Sequence, residues 1–109
     1  MHKIIAAAIL IALAPVASAN DAPESASSTM CATMSSLARS TMKLRQVGGD
    51  MAMMYNRASE LESDAIRTLA QALIVEAFKA PRYSSDQMRE REATDFASKV
   101  FMECVQSNG

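Results

Sequence analysis

The sequence predicts an all-α fold: a small single-domain bundle of about four helices, one of them short, with the N- and C-terminal helices joined by a disulfide. Three observations predict it. Apolar residues recur at spacings of three and four along three long segments, the spacing that lines one face of a helix. Gly48-Gly49 and Pro81 punctuate those segments where helices stop. No stretch alternates apolar and polar residues for long enough to read as a strand.

The chain opens on an export signal. His2 and Lys3 give a basic start, the run from Ile4 to Val16 is apolar but for Pro15, and Ala17-Ser18-Ala19 is a small-x-small cleavage site. Residues 1–19 are therefore expected to be a signal peptide cut after Ala19. The apolar run covers roughly 20 Å as a helix, too short for a hydrocarbon core of about 30 Å, so no stable membrane insertion is expected after cleavage. Position 20 is Asn rather than the cysteine a lipoprotein needs. A short signal with one lysine looks bacterial, which makes the expected location periplasmic or secreted.

Residues 20–28 are small, polar and carry Pro23, and read as a flexible leader. The helical domain is expected over 29–107. Its first helix fits 29–47, with Ser27 or Ser28 as N-cap, Gly48-Gly49 as stop, and Met30, Met34, Leu37, Thr41 and Leu44 on one face flanked by Cys31, Ala38 and Met42. Asp50 can cap a short second helix from Met51 to about Arg57. Ser59 and Glu62 are spaced as a capping box for a third, whose stripe of Leu61, Ala65, Ile66, Leu69, Ala70, Leu73, Ile74, Ala77 and Phe78 is the densest in the chain. Whether the second and third helices are separate is open. Pro81 ends the third, because the residue before proline disfavours helical angles. A last helix follows from Asp86 to about Gln106, with Ser84 and Gln87 as its capping box and Met88, Ala93, Phe96, Ala97, Val100, Phe101 and Cys104 on its buried face.

Cys31 falls in the first turn of the first helix and Cys104 in the last turn of the last. Antiparallel packing of the two brings both to one end of the bundle, and an exported chain with two cysteines has one intramolecular connectivity. A redox-active role is not expected, since the two are not in a Cys-x-x-Cys arrangement.

Charge and chemistry are informative mainly by what they exclude. Of the 11 Lys and Arg only Lys3 leaves with the signal, so the mature domain stays close to neutral against its 12 Asp and Glu and offers no field for nucleic acid. The only histidine, His2, leaves too, which removes imidazole bases and His-containing zinc sites. Ser40 and Lys43 match a Ser-x-x-Lys nucleophile pattern, but its companion motifs are missing and the chain is too small for that fold. No enzyme and no cofactor is expected. Methionine is the enriched type, at nine in the chain, and Met51, Met53 and Met54 cluster. Thioethers are soft ligands suited to Cu(I), and this cluster is the alternative metal site. Core filling is the preferred use of the others, Met30, Met34 and Met88 among them.

Met42-x-x-Arg45-Gln46-x-Gly48, then Ile74-Val75-x-Ala77-Phe78-x-x-Pro81-Arg82-Tyr83, then Phe96 and Cys104 with Cys31 upstream, resemble a group of short exported all-helical two-cysteine proteins of unknown function from Gram-negative bacteria and their phages. The resemblance implies a shape and a compartment, and no reaction. Within it, Arg45 and Gln46 precede one helix stop and Arg82-Tyr83 follow another, as junction residues do. Arg and Tyr also anchor interfaces most often, so Arg45, Arg82 and Tyr83 are the candidate partner-binding residues. The expected function is protein binding in the cell envelope, to an envelope protein whose identity the sequence leaves open along with the oligomeric state.

Overall fold

The computed structural model describes residues 28–108, so the predicted signal peptide and all of the leader but its last residue lie outside the described residues. Packing divides the chain into Met1–Met30, of which only the last three residues are described and are helical, and Cys31–Gly109, which carries everything that follows. Four helices are present and there is no strand among the described residues: α1 over 28–46, α2 Met51–Ala58, α3 Asp64–Ala77 and α4 Asp86–Asn108.

Both glycines of the first stop are required by geometry. Gly48 takes a φ of 97°, which an L side chain resists, and its N–H donates to the Arg45 carbonyl while the Gly49 N–H reaches Leu44 O at 2.7 Å. These are the two bonds of a Schellman motif. A Cβ on Gly49 would meet that same Leu44 oxygen at 2.8 Å. Asp50 then caps α2 as expected, its Oδ1 accepting from the Met53 N–H at 2.8 Å.

Helices α2 and α3 are separate, and two expected caps move. Ser59 sits at the C-terminus of α2, where its hydroxyl donates to Tyr55 O and accepts from Gln71, and α3 is capped instead by Ser63, whose Oγ accepts from the Ile66 N–H. The Arg67 guanidinium holds the intervening turn by donating to the carbonyls of Leu61 and Glu62. At α4 the cap is Ser85, not Ser84: Ser85 Oγ accepts from the Met88 N–H. In each case a second serine close by offered the same short side chain, and the local path of the turn chose between them.

Helix α4 runs antiparallel to α1, as cross-links of falling register show. Cys31 is bonded to Cys104 with their Cα atoms 5.5 Å apart, Ser35 Oγ donates to Ala97 O, Arg39 donates to Thr94 Oγ1, and Lys43 pairs with Glu90. Small residues let the two helices approach: Ala38 on α1 and Ala93 and Ala97 on α4 are fully buried. The main core joins Ala38 and Met42 to Leu73, Ala77, Ala93, Phe96 and Val100, and a smaller cluster of Ala58, Ala70 and Ile74 holds α2 on α3.

The buried faces correct the predicted stripes in detail. On α1 the buried positions are Cys31, Ala38, Thr41, Met42 and Gln46, while Leu44 is half exposed and Met30 more so. The face is turned towards the small residues, because close contact with α4 selects Ala38 over its larger neighbours. On α3 packing begins at Leu69, so Leu61, Ala65 and Ile66 stay exposed at the start of the helix and the turn before it. On α4 Met88 is exposed and Phe101 half buried, leaving Ala93, Phe96, Ala97, Val100 and Cys104 as the buried face. Leu73 is buried and Leu69 only half buried. Leu73→Ala is therefore expected to cost about 2–5 kcal/mol and Leu69→Ala less, a difference that urea unfolding of the two variants reads directly.

Candidate binding surfaces

The structure gathers Arg45, Arg82 and Tyr83 at one corner, where the C-terminal end of α1 meets the link between α3 and α4. Arg45 donates twice to Ala80 O, at 3.2 and 2.9 Å, and its guanidinium lies 4.8 Å from the centre of the Phe78 ring. That contact adds a cation–π attraction to the hydrogen bonds. Arg82 donates back to Gln46 O at 3.4 Å, with its guanidinium over Gly48. Tyr83 O accepts from Arg89 Nε at 2.7 Å.

At the centre of this corner is Gln46, which is 1% exposed. Its amide nitrogen donates to Pro81 O at 2.9 Å and contacts Met42 Sδ at 3.6 Å, and its Oε1 accepts from the Tyr83 N–H at 2.9 Å. The link after Pro81 has no helix to satisfy its backbone, and Gln46 supplies what the helix would have supplied. The Arg45 and Gln46 side chains thus cross from the end of α1 to the link at the end of α3, a long-range pairing that local spacing does not reveal.

The methionines of α2 are spread rather than gathered. Met51 and Met54 stand about one turn apart and Met53 about 100° round the helix from Met54. Met54 packs against the smaller core cluster, while Met51 and Met53 are exposed. Among the described residues no group of three or more His, Cys, Asp and Glu is placed to hold a metal ion. Ser40 is exposed, and the Lys43 ammonium lies 3.6 Å from Glu90 across the α1–α4 seam.

Two open grooves were not visible in the sequence. The larger, about 540 Å³, runs between α3 and α4 beside the disulfide. Leu69, Leu73, Phe96 and Val100 form its floor, Met34 and Cys104 close one end with their sulfurs 3.4 Å apart, and Glu76, Lys99 and Glu103 stand on its rim. A hydrogen bond from Lys79 at 2.8 Å, and the charge of that lysine, hold the Glu76 carboxyl below its ordinary pKa and keep it ionised on the rim. The second, about 300 Å³, lies between α1 and α2 over α3, with Leu37 and Thr41 on one wall and Asp50, Met53 and Arg57 on the other. No helix among the described residues is long and apolar enough to cross a membrane. The chain matches no known protein family, no curated protein and no solved structure.

Proposed function

We propose that this protein acts by binding and not by catalysis: an exported, disulfide-stapled helical protein that holds an apolar segment of another cell-envelope protein, as a small modulator, inhibitor or chaperone-like factor. The observation that carries the reading is the open groove between α3 and α4. An apolar floor with a charged rim is the arrangement that receives the apolar face of an amphipathic helix. From Phe96 to Ser107 the α4 wall offers about 16 Å, three turns of a bound helix. A disulfide closing the ends of the domain suits an oxidising compartment, and the signal-like N-terminus supports the periplasm as the place where such a partner is met.

Ala72 lies on the groove wall and is exposed, so a large side chain there fills the groove without entering the core. With the mature domain as bait in periplasmic extract, Ala72→Arg is expected to cut recovery of the captured partner by about ten-fold while leaving helical content and melting unchanged. Recovery of the same proteins by parent and variant would remove the groove as the site. Failure of the parent to capture anything, even after chemical cross-linking, would remove the reading itself. The corner of Arg45, Arg82 and Tyr83 is the competing surface, and its triple alanine variant is the matching comparison. Loss of capture by a folded triple variant would move the site from groove to corner.

A further inference from the structure

The groove between α1 and α2 carries a charge pattern that is complementary to itself. Asp50, Met53 and Arg57 line one wall at spacings of three and four, so an acid and a base stand at opposite ends of α2 with a methionine between them. Their separation along the helix is about 10 Å. One Asp50 oxygen caps α2 through the Met53 N–H, and Arg57 makes no side-chain hydrogen bond or ion pair among the described residues. On the rim, Met53 is 58% and Leu44 50% exposed, large apolar side chains beside an open apolar space of about 300 Å³.

We propose that this surface is the interface of a homodimer, in which the α2 helices of two copies pack antiparallel about a two-fold axis near Met53. Under that operation Asp50 of each copy faces Arg57 of the other, and the pair forms twice. The same operation sets Met53 of each copy over the groove of its neighbour, where Leu37, Thr41 and Ile74 offer apolar contact. Antiparallel apposition also sets the two helix dipoles against each other favourably. With Lys3 removed with the signal, the 10 remaining Lys and Arg stand against 12 Asp and Glu, a formal charge of −2 that leaves little repulsion between copies. A helix from an unrelated protein could fill the space, but nothing on its surface would be required to repeat the Asp50–Arg57 order in reverse, whereas a second copy carries that order necessarily. This inference uses a different groove from the proposed partner site, so either can fail without the other.

The test is sedimentation equilibrium of the mature, disulfide-bonded protein at loading concentrations up to about 1 mM, the range in which small interfaces associate. The parent is expected to approach a dimer. Arg57→Asp places four acids at the interface, and is expected to raise the dimer dissociation constant by roughly ten-fold or more, because symmetry doubles each loss of attraction. Far-UV circular dichroism and melting of the dilute variant should match the parent, since the Arg57 side chain makes no hydrogen bond or ion pair among the described residues. In a separate variant, Met53→Cys, brief mild oxidation should give a cross-linked dimer that the additional Arg57→Asp change suppresses. A parent that is monomeric at every concentration overturns the proposal. So does a dimer that Arg57→Asp leaves intact, which would locate the interface elsewhere. If the parent stays monomeric and periplasmic extract protects the thiol of the Met53→Cys variant from alkylation, the occupant of this groove is another protein and the homodimer is wrong.

Discussion

Reducing the Cys31–Cys104 disulfide, or replacing both cysteines with Ser, is expected to remove about 4–5 kcal/mol of stability, the value for a closed loop of about 70 residues on the chain-entropy model. That is a large share of the roughly 5–15 kcal/mol available to a domain of this size. The core explains why so much rests on one bond. Four of the seven residues in its main cluster are larger than alanine, Met42, Leu73, Phe96 and Val100, and the rest are alanines that contribute closeness more than buried area. The bond also lies at the open end of the α1–α4 pair. The other end is held by the Gln46 corner, so reduction leaves the disulfide end of the pair to the Ser35–Ala97 hydrogen bond and to packing. Urea unfolding of oxidised and reduced protein, followed by circular dichroism, measures the difference. A midpoint unchanged by reduction would mean that the packed faces alone hold the domain.

What the sequence made legible follows from what is local. The Gly48-Gly49 stop and the Asp50 cap depend on residues within one turn of each other, and both were readable because backbone geometry there admits few residue types. The cysteine pairing was readable for a different reason: two residues at the ends of two helices have one antiparallel solution. Side-chain periodicity did less well. It identified α1 as amphipathic but ran the face through Met30, Met34, Leu37, Thr41 and Leu44 with Ala38 and Met42 only flanking it, because large apolar residues dominate any hydrophobic count. The centre of the contact is Ala38, whose small size permits close approach, with Met42, while Met34 and Leu37 pack at its edge. Polar burial was harder still. Nothing in the neighbourhood of Gln46 distinguishes it from a surface glutamine, and its partners Pro81 and Tyr83 lie 35 and 37 residues away. The grooves escaped for the same reason, since a groove belongs to two elements and no single stretch encodes it.

The second large effect is expected at Gln46. Replacing it with Ala leaves the Pro81 carbonyl and the Tyr83 N–H without their partner, each a loss of about 1–3 kcal/mol if water cannot reach them, and opens a cavity against Met42. A total of about 3 kcal/mol is expected, more than for Arg45→Ala, at a half-buried position, or Arg82→Ala, at an exposed one. Gln46→Leu separates the two causes: it restores volume but no hydrogen bond, and should recover only the cavity share. Gln46→Glu adds a sign. A protonated carboxyl can donate to Pro81 O and accept from Tyr83 N–H as the amide does, whereas a carboxylate is buried, charged and set against a carbonyl oxygen. The folded state of that variant therefore favours the protonated form, and its stability relative to the parent should be greatest at low pH and fall as pH rises through the carboxyl's folded-state pKa. Chemical unfolding of the four proteins at pH 4 and pH 7 reads all of this. Equal stability of Gln46→Ala and parent would show that the link after Pro81 is held without this side chain. A Gln46→Glu variant whose deficit does not depend on pH would show that position 46 is open to water, and the corner would then be a surface contact and not a buried joint.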